Sequence, residues 1–195
     1  MRIDFEKLAN DPTLQRVKNS VPPTNLPFSI NKIGHVVVHV EDIERSVAFY
    51  TQVLGFEVSD AYPGTMMPGG MVFLRFNPDH HGIALIGGAT GPASNSEFHH
   101  MAFEVSTLAE VVSARDHLRT LGVPIDFEGR RRAGCQIAVE FRDPDNHRLE
   151  IYWGLDQVEH GQASRVPEQW REHFSIDDAI ADPPPGQDTS LLPRA

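Results

Sequence analysis

In IGHVVVHV a period of two places Val36, Val38 and Val40 on one side and His35, Val37 and His39 on the other. The β-branched content predicts a strand. The next stretch, DIERSVAFYTQVLGF, changes period: Ile43, Val47, Tyr50 and Leu54 recur at helical spacing, Asp42 is a fitting N-cap, and Gly55 ends the run. Three further strands are predicted at FEVSDAY, MVFLRFN and GIALIG. The turns between them carry Pro63–Gly64, Pro68–Gly69–Gly70 and Asn77–Pro78.

The same order then recurs. HHMAFEV predicts a strand, LAEVVSARDHLRTLG a helix ending at Gly122, and IDFEG, QIAVEFRD and HRLEIYW three more strands. His35 aligns with His100, Val40 with Val105, and LGF at 54–56 with LGV at 121–123. The expected fold is therefore α+β: two βαβββ modules, about 32–90 and 97–153, whose curved sheets face one another across a cleft. Residues 1–31 form an N-terminal extension and 154–195 a proline-rich tail, the two being extended arms. The tail carries one helical candidate near Pro167–Phe174 and an extended Pro183–Pro185, and is expected to wrap a surface or a partner subunit rather than build a core.

Parity refines the second module. Gln136, Ala138 and Glu140 lie opposite Ile137, Val139 and Phe141, and Glu150 and Tyr152 lie opposite Leu149, Ile151 and Trp153. His100 shares the polar face with Ala102 and Glu104, and strict parity turns His99 to the apolar side. In the first module His81 shares its parity with Ile83 and Leu85. It reaches the polar face only if the strand begins after it or bulges, with His80 the fallback or a group that orients its neighbour.

The polar faces thus gather His35, His100, Glu140 and Glu150 from four strands. Two imidazoles and a carboxylate, His35, His100 and Glu150, suit a redox-active divalent metal with open positions, Fe(II) first and Mn(II) next. Taken singly, His39, His99, His117 and His147 read as hydrogen-bonded structural histidines.

Composition narrows the classes. The chain has 195 residues, 40% hydrophobic and 23% charged, with a formal net charge of -10. That suits a globular protein and disfavours nucleic acid or an anionic membrane as partner. Cys135 is the only cysteine, so there is no intrachain disulfide and no thiolate cage, and it is expected to be buried. MRIDFEKLANDPTLQRV lacks the apolar core of a signal peptide, and no run approaches the ~20 apolar residues of a membrane helix. The expected location is the cytoplasm.

GHVVVHVEDIERSVAFYTQVLGF, HHMAFEV and FRDPDNHRLEIYW, with the repeat, resemble the vicinal oxygen chelate superfamily (glyoxalase, bleomycin resistance, dioxygenase) over about residues 32–153. The fourth strand has Ala84 where glyoxalases place a ligand. The PDHHGIAL run before HHMAFEV is most similar to type I extradiol dioxygenases, which cleave catechols. That resemblance implies a small aromatic substrate and O2, with His81 as acid–base catalyst and His35, His100 and Glu150 as iron ligands. Two positions depart from the pattern: Glu140 stands where a tyrosine is expected and Arg131 where a histidine is. Glu140 is thus a candidate base or metal-site residue. His39, Tyr152 and Arg131 are candidate pocket residues, and the Arg130–Arg132 run reads as a solvated turn or an anchor for an anionic group. The other readings are another metal-dependent enzyme of the superfamily (thiol transferase, lyase or isomerase) and a non-catalytic binding protein. Chains of this type often form homo-oligomers.

Overall fold

A computed structural model of the chain describes residues 4–159 and 161–190; residues 1–3 of the extension, and 160 and 191–195 of the tail, lie outside them. The extension holds two short helices, α1 (Phe5–Asn10) and α2 (Pro12–Lys18), capped by Asp4 and Asp11 and burying no residue. After it come β1 (Val36–Val40), α3 (Ile43–Gln52), β2 (Glu57–Tyr62), β3 (Met71–Arg75) and β4 (Ile83–Gly87). The second series is β5 (Met101–Glu104), α4 (Leu108–Thr120), β6 (Ile125–Arg130), β7 (Ile137–Arg142) and β8 (Arg148–Trp153).

The repeat read from the pattern is a repeat of topology. One sheet runs β1-β4-β3-β2 and the other β5-β8-β7-β6. In each, the first strand pairs parallel to the last and the remaining pairs are antiparallel. Helix α3 starts where Asp42 accepts from the backbone N–H of Glu44 and Arg45. Helix α4 starts with a capping box between Thr107 and Glu110.

The apolar faces of both sheets enter one core. Val38, Val40, Leu74, Ile83 and Leu85 from the first sheet pack with Met101, Val139, Phe141 and Leu149 from the second, and Tyr50, Phe56 and Leu118 fill the space between. The β7–β8 turn docks this second module onto the start of α3. Asp145 accepts from the Glu41 N–H at 2.7 Å, from Arg45 Nη2 at 2.9 Å and from Ser46 Oγ. Beside it Asp143 accepts from Tyr50 Oη at 3.0 Å and pairs with His147 Nδ1 at 2.8 Å.

The tail departs from expectation. Pro167–Gln169 makes only a 3-10 turn, and the helix lies later, at α5 (Ile176–Ala181). Ile176 and Ala179 are fully buried against Leu108, Val111 and Ile137, so the tail builds a second small core. Its anchor is Arg130, fully buried rather than solvated. Its guanidinium donates to the carbonyls of Arg171, Ala179 and Asp182 and to Gln187 Oε1. At Gly129 the backbone takes φ 130°, and a Cβ there would sit 2.3 Å from the His173 carbonyl oxygen. Only glycine lets the tail pair with the end of β6, where Arg130 and His173 exchange backbone hydrogen bonds. Pro184 is buried and Gln187 N–H bonds back to its carbonyl, so the proline run ends in a turn. Cys135 is buried, as expected of a free cysteine.

Candidate metal centre

Strands β7 and β8 set out one half of the site. Their register places Glu140 directly opposite Glu150 and Arg142 directly opposite Arg148. Glu150 is buried; its Oε2 lies 3.3 Å from His100 Nε2, and its Oε1 accepts a long bond, 3.4 Å, from Gln136 Nε2. Burial pushes its carboxyl above the usual range; the Gln136 hydrogen bond works against this, the charge of Glu140 adds to it, and the charge of Arg131, itself bound to Glu140, opposes it. A buried carboxylate beside an imidazole, without a cationic side chain of its own, is half of a cation site.

Glu140 is in a different state. Both its oxygens accept from Arg131, at 2.6 and 2.9 Å, and the Arg131 guanidinium lies 3.9 Å over the Phe127 ring. Neither is a free group, and the arginine run is no solvated turn: Arg132 pairs with Glu172 at 2.9 Å, and Arg130 is spent on the tail. Tyr152 stands half-buried on the same face as Glu150, its hydroxyl pushed up by burial and then by Glu104 and Glu150.

Strand parity does not govern the two histidine doublets, because both precede their strands. Strand β5 begins at Met101, so His99 does not turn to the apolar side; it is exposed, its Nε2 accepts from Arg148 Nη1 at 2.9 Å, and its Nδ1 lies 2.7 Å from His100 Nδ1. Both rings line a cavity of about 510 Å³ with Arg131, Glu140, Arg142 and Arg148. Strand β4 begins at Ile83, which frees His81 in the same way. Its ring lies 4.6 Å from that of His35 and 5.0 Å from that of Phe73, and its Nδ1 is 3.1 Å from His80 Nδ1. Burial, then His35 and His80, pull its imidazole below the ordinary value.

Two half-sites result. His100 and Glu150 meet in the second module, and the His35 ring lies tilted against that of His81 in the first. Among the described residues no group of three His, Cys, Asp or Glu side chains is disposed to hold a metal ion. The nitrogen and oxygen donors of the His100–Glu150 pair fit a divalent cation, but His35 is not brought into that pair; it lies beside His81. His39 lines a separate hollow with Phe98 and His147. His117 and His147 have structural bonds, to the Val53 carbonyl and to Asp143. Two features were missed in the sequence. Gln136 carries the same parity as Glu140, a usable signal. Asp143 and Asp145 bond to groups some hundred residues away, which no local pattern announces.

Known proteins resemble the chain in sequence and in fold. A family model described as the Glyoxalase/Bleomycin resistance protein/Dioxygenase superfamily matches residues 32–151. Biphenyl-2,3-diol 1,2-dioxygenase of Paraburkholderia xenovorans is 30% identical over 155 residues, 76% of this chain and 50% of that protein. A manganese-dependent 2,3-dihydroxybiphenyl 1,2-dioxygenase of Geobacillus genomosp. 3 is 26% identical over 142 residues, 70% of this chain and 42% of that protein. The chain spans about half the length of the curated relatives it matches. Among solved structures, a glyoxylase/bleomycin resistance protein/dioxygenase domain from Frankia sp. EAN1pec superposes with a TM-score of 0.56 at 21% identity, covering 65% of this chain and 99% of that one.

Proposed function

The chain belongs to the Glyoxalase/Bleomycin resistance protein/Dioxygenase superfamily, and on that premise we propose that it is a metal-dependent extradiol dioxygenase cleaving a catechol-type ring with O2. The observation that carries the reading is the buried Glu150 carboxylate, 3.3 Å from His100, in a family whose curated relatives are named ring-diol dioxygenases. His100 and Glu150 hold the metal, with His35 as the third donor. When bound, Fe(II), or Mn(II) in its place, would supply the redox chemistry of ring cleavage. His81, against His35, takes a proton from the diol and returns it to the product, and His80 orients the His81 ring. Glu140, neutralised by Arg131, serves to position the site rather than as a free base. Tyr152 borders the substrate. The active form is a homo-oligomer joined through its N-terminal extension.

The test is anaerobic loading with Fe(II) or Mn(II), metal analysis, then oxygen uptake with catechol, 3-methylcatechol and biphenyl-2,3-diol. Stoichiometric O2 uptake with appearance of a yellow ring-fission product is expected. Full metal occupancy with no diol consumed overturns dioxygenase activity, and a chain that binds no metal would be a binding protein of the same fold.

A further inference from the structure

The polar face of β7 and β8 carries two rungs of like charge. Glu140 faces Glu150, and two residues along Arg142 faces Arg148. Like charges directly opposed on one face of a sheet repel. In each rung a group from the β6 side cancels the β7 member. Arg131 binds Glu140. Asp126 binds Arg142 at 2.7 Å, and Asn146 supports it at 2.6 Å. The β8 members remain. Glu150 is a buried carboxylate whose one ion-pair partner among the described residues is His100; the Arg131 charge reaches it only at longer range, being bound to Glu140. Arg148 has no ion pair among the described residues; one amino group donates to the His99 ring, and its Nε is buried with no acceptor. The two lie on one face about 7 Å apart along the strand. The cavity of about 510 Å³ opens onto Arg148 and His100.

We propose that Arg148 is a specificity residue that receives an anionic substituent of the substrate, so that the favoured ring is a carboxylated diol rather than the neutral diols for which the relatives are named. This rests on the ring-cleaving reading for what happens to the diol, but not for the anion site itself. The division of labour follows from the leftover charges: Glu150 calls for a cation and Arg148 for an anion. A dihydroxybenzoate presents both partners, its diol oxygens toward the metal and its carboxylate toward the guanidinium. The planar fork of arginine suits a carboxylate in a way that a lysine ammonium does not.

The experiment compares 3,4-dihydroxybenzoate with catechol by ligand-observed NMR titration of the metal-free protein, and by kcat/KM of the iron-loaded protein. Wild type should favour the carboxylated ligand by about tenfold, Arg148→Met should bring that ratio near one, and Arg148→Lys should retain part of it. Circular dichroism checks that each variant is folded, and the lysine variant carries the test if the methionine variant is not. A carboxylate preference lost with Arg148, but without oxygen uptake on any diol, leaves the anion site standing and removes the ring-cleaving reading. Equal binding of the two ligands by wild type, or a preference that survives Arg148→Met, overturns the proposal.

Discussion

Glu150 sits where a carboxylate is costly to the fold. It is buried, its hydrogen bond to Gln136 is long, and Glu140 stands across from it in the sheet. A buried, poorly satisfied carboxylate of this kind is a candidate binding group. Glu150→Gln keeps the shape and removes the charge. In metal-free protein at neutral pH it should raise unfolding stability by roughly 1 kcal/mol in denaturant titrations. The same change should weaken metal affinity by at least about tenfold. A variant less stable than wild type would mean that His100 and Gln136 already satisfy the carboxylate. Parity alone put Glu150 on the polar face, so this residue was legible in the sequence. His99 was not, because parity was carried past the start of β5, and residues outside a strand do not obey it.

At the level of elements, the β7–β8 turn and α3 form the joint between the modules. His147 holds part of it. Burial opposes its charged form, but the hydrogen bond and charge of Asp143, with Asp145 behind, outweigh that and raise its pKa above the ordinary histidine value. A raised folded-state value means the protonated imidazole stabilises the fold. That contribution is complete below the unfolded value and is lost as pH rises through the folded one. The denaturation midpoint should therefore fall as pH rises above the ordinary histidine value of about 6.5, and fall less in His147→Gln. Parallel profiles for the two proteins would remove His147 from the joint. Strands and helices of both modules could be read from periodicity because each has one apolar face. The joint could not, since Asp145 and Ser46 lie 99 residues apart and show nothing until the chain has folded.

For the whole molecule, the core was legible and its reach was not. The pattern gave eight strands and two long helices but stopped at Trp153, where polar composition suggested a loose tail. Two apolar residues, Ile176 and Ala179, sufficed to close a second core because Arg130 supplies the polar anchor. At the other end Val17, Val21, Leu26, Phe28, Ile30 and Ile33 are all exposed, and α1 and α2 bury nothing. That much apolar surface on one arm supports self-association through it. Light scattering should report at least a dimer, and replacing Phe28 and Ile30 with serine should shift it to monomer with its circular dichroism unchanged; a monomeric wild type would count against the arm. The buried arginine also bears on the order of events during synthesis. The groups that receive its guanidinium follow it by 41 to 57 residues. On the ribosome the first module can settle while the second waits with an unmet charge in its interior, and Gln187 must emerge before that half can close.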